Sequence, residues 1–435
     1  METTVNITSA AADGPARSHT SSLVIVTILF FMWGLLTSLN DVLIPHLKSI
    51  YTLSYVQATL VQFCFFGAYF VVSVPAGMLI KKIGYQRGAV TGLVIAASGC
   101  ALFYPASLGS YALFLFAFFV LASGITILQV AANPYVTVLG EAKTASSRLT
   151  LTQAFNSLGT TIGPIFGGIL ILSGAALSAA DINLLPAAEQ VAYRQSAGAA
   201  VQMPYLMLAG ALLLLAILFA FARLPRISHA DDKTTAQASG GKDSVFAHVH
   251  LVFGAICIFV YVGGEVSIGS FLINFLSDPD IGGFTPAAAA HYVSFYWGGA
   301  MVGRFIGFAV MRVVSPGKTL AFNAAAAIVL ILTAIYSHGS LAMWAILAVG
   351  LCNSIMFPTI FSMALHKLGK LTGQGSGILC MAIVGGALIP FLQGYLADSI
   401  GLHVSFYVPA ACYIFIMFFG IRYAGMYAAR QDQAS

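Results

Sequence analysis

Charge is what this sequence has least of. Only 8% of its 435 residues are Asp, Glu, Lys or Arg, while 59% are hydrophobic. A soluble domain carries roughly 25% charged residues, so a water-facing surface is excluded for most of the chain. The formal charge of +5 is thinly spread, and without a basic patch interleaved with aromatics no nucleic-acid partner is expected. Cysteines are few: Cys64, Cys100, Cys257, Cys352, Cys380 and Cys412 all lie in apolar runs, with no C-x-x-C. They read as small hydrophobes, not as a disulfide framework or a metal site. No G-x-x-x-x-G-K-[ST] occurs, which argues against an ATP-driven pump. The nine histidines are scattered, only His248 and His250 being close, so no enzyme constellation, metal centre or organic cofactor is expected.

What the chain has in abundance is long apolar runs. Spanning ~30 Å of hydrocarbon takes ~20 apolar residues in a helix. Such runs are read at 23–47, 57–80, 88–107, 110–138, 146–174 and 202–223, then at 250–276, 288–313, 318–337, 340–366, 373–399 and 403–426. The first run is too long for a signal-peptide core, so it is read as a retained span. The polar segment 1–22 is expected to be disordered and cytoplasmic. The halves 23–223 and 250–426 are separated by a charged linker, 224–249, and followed by a tail, 427–435. A second, Ala-rich break is read at 175–201.

Sixteen of the nineteen Lys and Arg residues fall on one side of this arrangement. Lys48 and Arg194 fall on the other, and Arg304 lies within a span. The positive-inside rule then puts both termini and the linker in the cytoplasm, as expected of a multi-pass protein of the inner (plasma) membrane. The halves also repeat. Gly159, Pro164 and Gly168 recur as Gly385, Pro390 and Gly394 at an offset of 226, and Gly77 recurs as Gly303 at the same offset. Repeated halves are a signature of secondary transporters. An all-α integral membrane protein with twelve helices in two pseudo-symmetric six-helix halves has the architecture of the major facilitator superfamily.

Carboxylates well inside the spans are Asp41 and Glu265, 224 residues apart on the first helix of each half. A charge at mid-bilayer costs ~2.5–3.5 kcal/mol on insertion scales, so each is expected to face a cavity or a partner. The functional reading is proton coupling; the alternative is a hydrogen-bonded anchor between helices. Arg304 can pair with a carboxylate inside the bundle or snorkel to the cytoplasmic face, and its place near the end of its span favours the second. With Lys81 and Lys82 it is read as gating or topogenic.

Amides in the spans suggest the cargo: Asn40, Gln62, Gln129, Asn133, Gln153, Asn156, Asn274 and Asn353. Amides donate and accept hydrogen bonds, which suits a molecule covered in hydroxyls. Gln153 and Asn156 are three apart, hence on one helix face. Trp33 and Trp297 can stack on a sugar ring or glue helices together. The scarcity of cations disfavours anionic cargo.

Several segments resemble one family in particular. Asn40-Asp41-Val42-Leu43-Ile44-Pro45, Ala131 to Gly140 (AANPYVTVLG), Leu151 to Ser157 (LTQAFNS) and Phe357 to Ser362 (FPTIFS) are similar to the fucose–galactose–glucose:proton symporters of the major facilitator superfamily, over nearly the whole chain. The resemblance implies a monosaccharide:proton symporter working by alternating access. It implies that Asp41 matches an acid needed for transport and that Gln153 and Asn156 match sugar-contacting amides. Fucose-transporting members carry a glutamate where this chain has Gln129 and a tyrosine where it has Phe357. Conversely, Tyr261-Val262-Gly263-Gly264-Glu265 resembles the glucose/galactose branch. A glucose- or galactose-type hexose is therefore expected, with L-fucose, N-acetylglucosamine or uncoupled facilitation as alternatives. The expected substrate-binding set is Asn40, Gln129, Asn133, Gln153, Asn156, Asn274, Trp297 and Asn353. The proton is the only expected coupling agent, and the expected partners are sugar and lipid around a monomer.

Overall fold

The computed structural model describes residues 20–51, 55–107, 111–170, 185–222 and 244–426. The linker 224–249 is described only from residue 244, and the N-terminal segment only from residue 20. The tail 427–435 lies outside the described residues.

Helices follow the apolar runs closely. The first six are α1 (Thr20–Tyr51), α2 (Tyr55–Ile83), α3 (Tyr85–Ala106), α4 (Tyr111–Val138), α5 (Ala145–Leu170) and α6 (Ala187–Phe221). The second half begins with α7 (Val249–Ser277), α8 (Pro286–Val310) and α9 (Pro316–Tyr336). Its last three runs are each divided: α10 (Gly339–Asn353) with α11 (Met356–Ala364), α12 (Thr372–Met381) with α13 (Gly385–Ile400), and α14 (Leu402–Ser405) with α15 (Tyr407–Arg422). Ten of these units are long and apolar enough to cross a membrane. With α1 and α5, of 32 and 26 residues, the crossing units among the described residues come to twelve.

Two helix starts show how local sequence sets boundaries. Thr285 and Ser315 cap α8 and α9, their hydroxyls accepting from the amides of Ala288 and Lys318 at 3.3 and 3.4 Å. Pro286 and Pro316 follow as the first helical residues, where the missing N–H costs nothing.

The break read at 175–201 precedes the crossing unit Val201–Phe221, and from Ala187 it extends the same helix, because the run following Pro186 is rich in Ala, Glu and Gln, strong helix formers that apolarity alone does not register. The runs read at 340–366 and 373–399 each form one crossing unit, Gly339–Ala364 and Gly369–Ile400, whose helices are interrupted, the second by a 3₁₀ turn at Ala382–Val384.

The two halves pack alike. In the first, α3 lies against α4 and α6, α2 against α4, and α1 against α5. In the second, α9 lies against α10 and α15, α8 against α10, and α7 against α13. The repeated glycines explain the correspondence. A Cβ on Gly159 would collide with the Phe31 carbonyl of α1, and one on Gly385 with the Phe259 carbonyl of α7. Small residues let helix backbones approach where lipid supplies no hydrophobic drive. Gly159→Leu should therefore force α5 off α1, at the ~1–3 kcal/mol typical of overpacking, and lower the thermal unfolding midpoint of the purified protein. An unchanged midpoint would contradict the packing.

The halves meet at the end that carries Lys81, Lys82, Lys143, Arg148, Lys367 and Lys370. There α12 crosses α2, so that a Cβ on Gly77 would lie 2.7 Å from the Gly373 carbonyl and one on Gly377 2.6 Å from the Ser73 carbonyl. Ser146 and Ser362 hydroxyls bond at 2.6 Å, Ser147 donates to the Phe308 carbonyl at 2.7 Å, and Ser376 donates to the Val130 carbonyl at 2.9 Å. Lys81 and Lys82 are exposed in the last turn of α2, at the rim of this contact. Just outside α11, burial, reinforced by the charges of Lys367 and His250, pushes the His366 imidazole down to about 4. It is thus neutral through the physiological range.

Candidate functional site

Two polar constellations lie inside the bundle. The first is built on α4 and α5. Gln129 and Asn133 are four apart on α4, one helical turn, and are buried at 4% and 0% exposure. Among the described residues, Gln129 Oε1 and both amide atoms of Asn133 have no hydrogen-bond partner. On α5, Thr150, Gln153 and Ser157 share a face at i, i+3 and i+7. Thr150 Oγ1, Gln153 Nε2 and Ser157 Oγ are likewise buried and unpartnered. Since α5 packs on α8 and α11, and α4 on α12, these two helices run along the junction of the halves.

Buried polar groups are normally paired, and each orphan costs ~1–3 kcal/mol. Six orphaned atoms on two adjacent helices are a standing deficit that a hydroxyl-rich ligand or water can relieve. Asn156 differs from its neighbours: it is half-buried, and its Nδ2 donates to the Phe30 carbonyl of α1 at 2.9 Å. It ties α5 to α1 with one of its amide hydrogens. Thr150 and Ser157 were not among the residues picked from sequence. The signal was there in their spacing from Gln153, but hydroxyls are common in spans, where they bond back to their own helix.

The second constellation belongs to the C-terminal half. Tyr261 donates from α7 to Glu265 Oε1 at 2.8 Å, and its hydroxyl is also 3.1 Å from the Asn353 carbonyl. Tyr296 donates to the Glu265 carbonyl at 3.2 Å and accepts from Asn353 Nδ2 at 2.7 Å. Tyr413 donates to Asn353 Oδ1 at 2.5 Å. All three tyrosines are buried. Glu265 is thus held at the centre of a hydroxyl–amide cage spanning α7, α8, α10 and α15. Tyr261 precedes Glu265 by one turn, a spacing visible in sequence; Tyr296 and Tyr413 had no such signal.

Asn353, expected as a sugar ligand, has its amide engaged by Tyr296 and Tyr413, which puts it in the scaffold of this cage. Asn274 lies exposed on α7, and Trp297 is 45% exposed on α8, packed edge-on to Tyr296 and close over Gly269. Neither joins the buried amides. Asn40 and Asp41 are on α1 and Gln62 is on α2, but their side chains lie outside the described residues.

Arg304, read as pairing with a carboxylate or snorkelling, is partly exposed, and its Nε donates to the Ser354 carbonyl at 3.2 Å, inside the break between α10 and α11. Helix breaks expose carbonyls that need a donor.

The Major Facilitator Superfamily model matches residues 26–383. The chain belongs to the major facilitator superfamily. Among its superfamily relatives, a glucose/galactose transporter of Brucella abortus is 56% identical over 422 residues, covering 95% of this chain and 98% of the relative. An L-fucose-proton symporter of Escherichia coli is 34% identical over 411 residues, covering 93% and 94%. The crystal structure of a superfamily transporter, FucP, in the outward conformation superposes with a TM-score of 0.85 at 33% identity, covering 94% of this chain and 99% of that one. The all-helical, twelve-crossing architecture of two pseudo-symmetric halves is the superfamily fold.

Proposed function

We propose that this chain is a proton-coupled symporter that carries a neutral hexose, of the glucose or galactose type, by alternating access. The observation that carries the reading is the set of orphaned amides and hydroxyls on α4 and α5, buried at the junction of the two halves. A neutral sugar supplies donors and acceptors to such groups without bringing a charge into the bundle. The relatives support the same class: the more similar one is named for glucose and galactose, and the more distant one for L-fucose and the proton. Gln129, Asn133 and Gln153 are the proposed sugar ligands, with Asn156 bracing α5 beside them. Asp41 and Glu265 are the proposed proton carriers, since carboxyl groups in a poorly solvated interior change protonation with their surroundings.

By the distribution of Lys and Arg, the sealed basic end faces the cytoplasm of an inner-membrane protein with both termini inside. The arrangement is then outward-facing, with Lys81 and Lys82 at the cytoplasmic gate, and a monomer suffices, each half lining one side of the pathway. Reconstituted vesicles should accumulate labelled D-glucose or D-galactose only when an inward proton gradient is imposed. Equilibration without accumulation would instead identify a facilitator. Orientation is tested separately in a background lacking the six native cysteines: Lys242→Cys should resist an impermeant thiol reagent on intact cells and react after permeabilisation. Labelling from outside would reverse the topology.

A further inference from the structure

Of the three tryptophans, two have packing roles. Trp33 is buried on α1 against Phe30, with ring centroids 5.4 Å apart. Trp344, near the start of α10, meets Tyr292 and Phe295 of α8 edge-on at 6.4 and 5.7 Å, and Tyr292 stacks on Phe284 at 4.7 Å. These aromatics sit at the end opposite the basic seal, where an interfacial belt is expected. Trp297 belongs to neither group. It is two residues past Phe295, hence on the opposite side of α8, and it is still 45% exposed.

Neighbouring contacts show what that side faces. Trp297, Met301 and Phe308 share one face of α8. Thr161 of α5 donates to Met301 Sδ at 3.7 Å, and Ser147 of α5 donates to the Phe308 carbonyl at 2.7 Å. This face therefore looks toward the other half. On α7, a Cβ on Gly269 would lie 3.1 Å from Trp297 Cζ2, so glycine leaves room for the indole to lie along that helix. The arc of α7 between its contacts with α8 and with α13 carries Val266, Ser270 and Ile273. Both neighbours touch the first half, α8 through α5 and α13 through α2, where Gly386 meets Phe66. That arc, too, faces the space between the halves. Ser270, with Asn274 one turn on, and Ser294, one turn before Trp297, are exposed beside the indole's helix face.

Trp297 also lies farther from the seal than the buried amides do. The Ser147–Phe308 bond fixes a common level on α5 and α8. From it Gln153 is six residues along α5, about 9 Å, and Trp297 is eleven residues along α8, about 16 Å. The Thr161–Met301 contact places it farther still: Thr161 is two turns beyond Gln153, and Trp297 is one turn beyond Met301. The indole thus stands between Gln153 and the end of the bundle opposite the seal.

We propose that Trp297 is the platform of a second, outer sugar site, which holds the hexose on its way to Gln129, Asn133 and Gln153. In a D-glucose or D-galactose pyranose the hydroxyls project mainly around the ring edge and leave a face of C–H groups. That face covers the indole and removes apolar surface from water, while edge hydroxyls meet Ser270, Asn274 and Ser294. The outer groups are exposed and already solvated, so the sugar gains little by replacing their water, and binding there is weak. The inner amides and hydroxyls are buried without partners, so the same hydroxyls gain more by moving inward. The two sites make a descending sequence from the open end to the centre. The inference rests on the hexose reading of the cargo and adds a second stop on its route.

The test reads Trp297 fluorescence in the full-length protein with Trp33 and Trp344 replaced by Phe. Where that double replacement impairs folding, the difference between wild-type and Trp297→Phe emission serves instead. D-glucose and D-galactose should shift the emission to the blue with a saturable dependence, and the open-chain polyol D-mannitol should not. Adding Gln153→Leu should leave the midpoint of this response within about twofold, although calorimetric affinity at the inner site falls. In proteoliposomes Trp297→Ala should raise the KM of uptake about two- to tenfold, the scale of one aromatic contact, with the maximal rate within about twofold. Trp297→Tyr should recover most of the loss. Trp297→Leu, which keeps apolar bulk on Gly269 but no ring face, should not. A silent Trp297 in protein that binds hexose by calorimetry would overturn the outer site and leave the cargo reading standing. So would a fluorescence midpoint that moves with Gln153→Leu, or a Leu variant as good as Tyr. Wild-type protein that binds and transports neither hexose would overturn the cargo reading, and this inference with it.

Discussion

Asp41→Asn is expected to abolish uphill accumulation of sugar, the largest single-residue effect in this protein, while sparing exchange of labelled for unlabelled sugar across the membrane. Asparagine imitates the protonated carboxyl group in shape and neutrality but has no proton to release. A carrier locked in that form can bind sugar and reorient while loaded, which is all that exchange needs. It cannot complete the cycle of proton release that turns a gradient into concentration. Glu265→Gln should act in the same direction more weakly, reducing accumulation or changing its pH dependence. Both acids stand on the first helix of their half, and the proposal gives the two a shared task, with Asp41 taking the larger part. Accumulation by Asp41→Asn with a wild-type response to the proton gradient would refute the assignment. Loss of sugar binding in the same variant would move Asp41 to a ligand or structural role. The measurements are gradient-driven uptake, exchange, and calorimetric binding on one preparation.

The membrane architecture was readable because composition and periodicity report a property shared by every span, immersion in lipid. The run at 249–277 was read as 250–276, and the six-and-six division followed from one charged break. The kink at Ala382–Val384 is not readable, since its residues are as apolar as their neighbours; that at Ser354–Ile355 has a signal in Pro358, four residues on, whose missing N–H leaves the Ser354 carbonyl to Arg304. The same limit governs the site. An amide within a span signals an exception to lipid burial but not which way it points. Gln129, Asn133 and Gln153 prove to be buried with atoms unpaired, whereas Asn353 is bound by two tyrosines and Asn274 is exposed. Tyrosine hides its polar role in the sequence. Its ring counts as apolar, yet the hydroxyls of Tyr261, Tyr296 and Tyr413 organise the surroundings of Glu265.

That distinction between unpaired and engaged amides yields the second large expectation, which is a pair of opposite signs. Gln153→Leu replaces a side chain whose Nε2 is buried without a partner. Removing an orphaned group takes nothing from the empty protein's hydrogen bonding and lifts a desolvation penalty, so its thermal stability should hold or rise, by on the order of 1 kcal/mol. Sugar binding should fall instead, because a hydroxyl that met the amide is left unpaired in a buried site. The cost of ~1–3 kcal/mol corresponds to about 5- to 150-fold in affinity. Asn353→Leu should do the reverse. It strips partners from Tyr296 and Tyr413, which bond the Asn353 amide at 2.7 and 2.5 Å, leaving the buried Tyr413 hydroxyl orphaned and Tyr296 with only the Glu265 carbonyl, so stability should drop with only an indirect loss of affinity. Thermal unfolding in detergent and calorimetric titration with D-glucose and D-galactose read the two axes independently. If Gln153→Leu binds sugar as the wild type does, the α4–α5 cluster is not the sugar site. If it unfolds as early as Asn353→Leu, its amide was paired after all, and the deficit that points to a ligand does not exist.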